Sequence, residues 1–176
     1  MNAVPAQPWA TTRWFNSEPL TLEDLRGCVI VLGTFQMLCP GCVTNGLPQL
    51  QRIEQTFNRS DVAVIGLHTV FEHHAAMTPT SLEAFLLEYR IGFPVGVDAH
   101  DNPASAPITM TRYELRGTPS LVLIDRAGMI RFRGFGHEPD LALGARIAQL
   151  IAQPDIGVTT AAVSGAAVCV PGKGCD

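Results

Sequence analysis

"CVIVLGTFQMLCPGCVTNGLPQLQRIEQTF", residues 28–57, decides the fold of this chain. Its opening, "CVIVLGTF" at 28–35, is a continuous apolar, β-branched run, which suits a strand buried on both faces. From Cys39 to Phe57 the apolar positions Leu47, Leu50, Ile53 and Phe57 recur every three or four residues, a helical period. Pro48 is expected to kink that helix. Two cysteines, Cys39 and Cys42, sit at the junction. A redox pair, half of a metal site and two packed thiols are the readings open to them.

Strand and helix signals continue downstream. "VAVIGLHTV", 62–70, reads as a second buried strand. "TSLEAFLLEYR", 80–90, opens on a Thr/Ser cap and has helical periodicity. "FPVGVD", 93–98, is short and extended. "TPSLVLIDRAGMIRFRGF", 118–135, holds two strand-like runs around the turn signal "DRAG", hence a hairpin. "PDLALGARIAQLIAQ", 139–153, is a last amphipathic helix with Asp140 near its start. Strand, helix, strand, helix, short strand, hairpin, helix is the order of an α/β sandwich with a mixed sheet.

Three segments follow: an irregular lead-in over 1–19 with Trp9, Trp14 and Phe15 as anchors, a folded domain over 20–153, and a Gly-rich tail over 154–176. A chain of 176 residues can bury a core without staples. Apolar residues at 47% against charged residues at 16% exclude wholesale disorder. A net charge of −4 gives no footprint for nucleic acid or an anionic membrane, and no apolar run is long enough to span a bilayer. "MNAVPAQPWATTRWFN" lacks a basic region followed by an apolar core, so a cytoplasmic location is expected. Five cysteines in that setting point to redox or metal chemistry before structural disulfides.

A thiol becomes a nucleophile by losing its proton, and a helix N-terminus favours the anion through its unpaired N–H groups. "LCPGCVTNGLP" puts Cys39 there, directly after a buried strand, with Cys42 one turn later. Pro40 suits the first helical turn. Cys39 is therefore expected to be the exposed attacking thiolate and Cys42 the buried resolving thiol. A CxxC between a buried strand and a helix inside a βαβ pattern favours the redox reading over packed thiols.

"LGTFQMLCPGC" followed by "GLPQLQRIEQTF" resembles the active-site strand and helix of the thioredoxin-like superfamily. "RGTPSLVLIDRAGMIRFRGFG" is similar to the second half of the TlpA/ResA-type thiol-disulfide oxidoreductases and related redoxins. The resemblance spans about residues 20–153 and implies a thioredoxin fold, a mixed sheet flanked by helices. It implies dithiol–disulfide exchange between a protein or small-molecule disulfide and a thiol donor, with no organic cofactor. Carried over, Cys39 is the nucleophile and Cys42 the resolver. Pro119 matches the cis-proline, and Thr118 matches the residue that binds substrate through its backbone and faces the thiols.

The chain departs from that pattern in several places. Leu38 stands where relatives often carry Trp before the first cysteine. Gly33 stands at the buried carboxylate of thioredoxins, and Asn45 at the Glu of TlpA-like proteins. Glu72 is the remaining candidate for a proton relay. Pro48 follows Cys42 by six residues where five is usual, and the extra residue suggests a π-bulge or a loosened first turn. A thiol peroxidase would need Thr or Ser where Gln36 stands and a proline where Leu32 stands, so that alternative is weaker.

The other candidates are peripheral. "HTVFEHH", 68–74, has no helical ligand spacing and reads as a solvated or site-rimming loop. Cys28 reads as inert core. Cys169 and Cys175 lie in a tail with no core to fill, and are expected to form a second dithiol that relays electrons. A flexible linker from Asp155 to Cys169 spans about 20 Å root-mean-square, against a domain radius of gyration of about 15 Å. A four-thiolate zinc or Fe–S site from Cys39, Cys42, Cys169 and Cys175 is the other-class alternative, although its spacing fits no common template.

Overall fold

The computed structural model describes residues 4–102 and 105–153. Among these residues, one sheet has the order β1-β7-β6-β3-β4-β5-β2. The strands are β1 (Val4–Pro5), β2 (Thr11–Phe15), β3 (Val29–Phe35), β4 (Val62–His68), β5 (Val95–Asp98), β6 (Ser120–Ile124) and β7 (Met129–Phe135). The helices are α1 (Leu47–Thr56), α2 (Pro79–Glu88), α3 (Ile108–Arg112) and α4 (Asp140–Ala152). β3, β4 and β5 run parallel, while β6 joins β3 antiparallel and the β6–β7 hairpin and both edge strands are antiparallel.

The apolar run at β3 has a simple cause: every residue of the strand is buried, because both faces of the sheet are covered. On one face Val29, Val31 and Phe35 pack with Leu47, Leu50 and Ile53 of α1, Leu82 and Leu86 of α2, and Leu143, Ile147 and Leu150 of α4. On the other face Ile30 and Leu32 pack with Leu22, Leu25 and Tyr113, with Trp9 and Trp14 partly buried against them. Trp9 and Trp14 thus anchor the N-terminal stretch on one face, and Phe15 is buried in the opposite core.

That stretch is more ordered than its composition suggests. It supplies both edge strands, β1 against β7 and β2 against β5. Pairing partners far along the chain make these strands, so no local periodicity announces them. α2 also begins earlier than expected: Thr78 is its cap, with its hydroxyl accepting from the Ser81 N–H, and Pro79 opens the first turn. The short α3 was not expected. Its first turn is fixed by buried Asp98, whose carboxylate accepts from the N–H groups of Thr109 and Met110. The "DRAG" turn forms as expected, with Asp125 Oδ1 accepting from the N–H groups of Ala127 and Met129 and Gly128 at φ +76°.

Candidate active site

β3 delivers the chain to the C-terminal edge of the parallel strands and a helix leaves from there. Cys39 caps that helix: its carbonyl accepts from the N–H groups of Cys42 at 3.0 Å and Val43 at 3.2 Å. Its sulfur also accepts from the Cys42 N–H at 3.2 Å, as an N-cap side chain does. Pro40 is the first helical residue, where its missing N–H costs nothing. The next turn, Cys42–Gly46, is a π-turn closed by Leu47 N–H donating to Cys42 C=O. The extra residue before Pro48 is absorbed there. Pro48 consequently falls in the first turn of α1 instead of kinking a helix interior.

The two thiols are unlike. Cys39 is half-buried, while Cys42 is wholly buried. Burial pushes the Cys42 thiol up to about 12, reinforced by its hydrogen bond with the Cys39 side chain. Hydrogen bonds from the Gln36 backbone and the Thr118 side chain act against that shift. At neutral pH the reduced Cys42 therefore holds its proton.

Opposite the helix lies the loop of Thr118 and Pro119, joined by a cis peptide bond. The Cys39 thiol points at the Thr118 carbonyl, 3.5 Å away. The π-turn brings Gly46 against this loop, and a Cβ there would sit 2.9 Å from Pro119 Cβ. A glycine is thus required by close approach. Gly33, where thioredoxins place a carboxylate, faces Leu50 of α1, whose side chain a Cβ there would have to displace. α1 fills that space with a leucine.

Gln36, read in the sequence only as a departure from the peroxidase pattern, is buried at the centre of the site. Its Oε1 accepts from Phe71 N–H at 3.1 Å. Its Nε2 lies 3.4 Å from Glu72 Oε1 and 3.5 Å from Thr118 Oγ1. Glu72 is thus joined to the cis-proline loop through the Gln36 side chain. The available signal was a polar residue ending an unbroken apolar run. Leu38, Phe71 and Phe135 are the exposed apolar side chains around the site. The Phe135 ring lies against Gly117 beside the cis-proline loop, and Gly136 N–H donates to the Pro119 carbonyl.

The histidine segment divides. His68 is not part of a solvated loop; it is the last residue of β4, 1% exposed, with its ring 5.3 Å from that of Phe35. His73 and His74 are exposed. Cys28 is buried, with its thiol toward the Ser60 carbonyl. Among the described residues no group of three or more His, Cys, Asp or Glu side chains could hold a metal ion. Cys169 and Cys175 lie outside the described residues. No helix among the described residues is long and apolar enough to cross a membrane.

A mixed sheet, a cysteine-capped helix leaving its central strand and a facing cis-proline loop define a thioredoxin-like protein. Residues 6–133 match the AhpC/TSA family, and the chain belongs to that family. A thioredoxin-like superfamily protein of known crystal structure is 56% identical, with a TM-score of 0.84 over 86% of this chain and 99% of the other. A thiol-disulfide isomerase from Corynebacterium glutamicum is 47% identical, with a TM-score of 0.83 over 86% and 98%. StoA from Bacillus subtilis, at 20% identity and a TM-score of 0.63 over 80% and 98%, shares the fold. None of the curated proteins compared with the chain matches it. At the family level the chain is a thioredoxin-like oxidoreductase.

Proposed function

We propose that the chain exchanges dithiol for disulfide through Cys39 and Cys42. The observation that carries this reading is the inequality of the two sulfurs: one half-exposed and capping a helix, the other buried, protonated and one turn behind it. Cys39 attacks a substrate disulfide, and Cys42 then displaces the substrate from the mixed disulfide. The Thr118–Pro119 loop docks the substrate chain beside Cys39. Exposed Leu38, Phe71 and Phe135 support a polypeptide substrate, with a thiol donor or acceptor completing the cycle. The same chemistry runs in either direction, according to the potential of the pair.

We further propose that Cys169 and Cys175 form a second dithiol that trades with the first, and that the chain works in the cytoplasm. Both rest on sequence alone. The decisive test of the main reading is trapping. A Cys42→Ser variant mixed with a disulfide-bonded peptide is expected to hold that peptide covalently at Cys39, whereas Cys39→Ser is expected to hold none. Equal trapping by both variants, or by neither, would sink the assignment of roles.

A further inference from the structure

The helix that carries the thiols holds the cis-proline loop in two ways. One contact is direct: Gly46 of the π-turn lies against Pro119, where a Cβ would be 2.9 Å from Pro119 Cβ. The other runs through the connection between β7 and α4, residues 136–139. Gly136 opens that connection at φ +84°, and its N–H donates to the Pro119 carbonyl at 2.8 Å. Gln49 of α1, 3% exposed, holds the other end. Its Nε2 donates to the Glu138 carbonyl and to Asp140 Oδ1, each at 2.6 Å. Both partners are acceptors, so only the amide nitrogen can face them. Gly46, Gln49, Pro119 and Gly136 line one small cavity, so the direct and indirect contacts meet around it.

We propose that Gln49 is a positioning residue for polypeptide docking: by holding the 136–139 connection on α1, it fixes Phe135 and Pro119 as the wall against which a substrate chain lies beside Cys39. This role rests on the dithiol reading above. The wall stands next to the chemistry. Phe135 is 62% exposed with its ring against Gly117, and the Thr118 carbonyl is 3.5 Å from Cys39 Sγ. A wall already in place costs a docking chain no ordering, whereas a loosened one must be ordered at the expense of binding. A small disulfide that does not lean on the wall is indifferent to it. The two bonds of Gln49 serve different elements. Asp140 also takes Arg52 Nε at 2.9 Å and Arg52 Nη2 at 3.2 Å, so it fastens the start of α4 to α1. Only the bond to the Glu138 carbonyl reaches the connection itself.

The test uses full-length reduced protein with Cys169→Ser and Cys175→Ser, and two disulfide probes. One is a synthetic peptide whose cysteine, flanked by apolar residues, is blocked with 2-nitro-5-thiobenzoate. The other is 5,5′-dithiobis(2-nitrobenzoate), which carries no polypeptide. With either probe the Cys39 thiolate attacks, a Cys39–probe disulfide forms, the bond to nitrothiobenzoate breaks, and the electron pair leaves on that chromophoric thiolate. Stopped-flow traces at rising peptide concentration give a half-saturating concentration and a limiting rate. Gln49→Met and Gln49→Glu are each expected to raise the half-saturating concentration about tenfold, the worth of one hydrogen bond. The limiting rate and the rate with the small disulfide should not change. Asp140→Ala should lower the melting temperature and leave the half-saturating concentration as it is. An unchanged half-saturating concentration in either Gln49 variant, equal slowing with both probes, or an equal rise in Asp140→Ala would overturn the assignment. If the peptide stays on Cys39 and Cys42 never displaces it, the dithiol reading falls and takes the assignment with it.

Discussion

His68 should make this protein acid-sensitive in a way that one substitution removes. Its imidazole is buried at the end of β4, with neither ring nitrogen hydrogen-bonded to a protein group. Burial lowers its pKa from 6.5 to about 4. The unfolded chain therefore binds a proton near pH 6.5, while the folded chain refuses it until about pH 4. Between those values the unfolded state holds more protons, so stability falls as pH falls. Above pH 6.5 the contribution is fully present, and below about pH 4 the loss is complete. Two and a half pH units at 1.36 kcal/mol each give about 3 kcal/mol. The assay is urea unfolding at pH values from 7.5 to 4 for the unsubstituted protein and His68→Leu, because the difference between the two curves cancels the carboxylates. The difference is expected to grow steadily below pH 6.5 in favour of the variant. Parallel curves across that range would refute the reasoning.

Packing makes further predictions. Gly46→Ala pushes a methyl into Pro119, and should cost about 1–3 kcal/mol in unfolding while slowing disulfide exchange; a variant with normal stability and rate would show that the loop gives way freely. Gly33→Ala should cost a similar amount, because its Cβ meets Leu50, and thermal melts should show the loss partly rescued in the Gly33→Ala/Leu50→Ala pair. Strict additivity would mean that the two residues do not compete for space. Asp125→Ala leaves two turn N–H groups without their acceptor, and should cost about 2 kcal/mol by urea unfolding. Asp125 lies beyond the far end of β6 from Pro119, so the potential of the cysteine pair should not move; a shifted potential would count against a local role.

Much of the domain could be read in the chain because its main signals are local. β3 announces itself by being buried on both faces, α1 and α4 by their period, and the hairpin by "DRAG". The π-turn was readable from one surplus residue before Pro48. Edge strands β1 and β2 were not, because their partners lie across the domain at β7 and β5. The site divides in the same way. Cys39 and Cys42 are neighbours in sequence, so their inequality followed from spacing, and the Thr118–Pro119 loop came through a resemblance. Gln36 and Gly46 owe their places in the site to contacts with residues far along the chain, at 71–72 and 118–119.

The most direct measurement is alkylation mass spectrometry of the full-length protein across a glutathione or dithiothreitol redox series. The dithiol account predicts that Cys39 and Cys42 pair reversibly, with one midpoint and two electrons. A value near about −270 mV would make the chain a reductant, and one near about −120 mV an oxidant. If Cys39 and Cys42 remain separately alkylated under every oxidising condition, the account is contradicted at its centre.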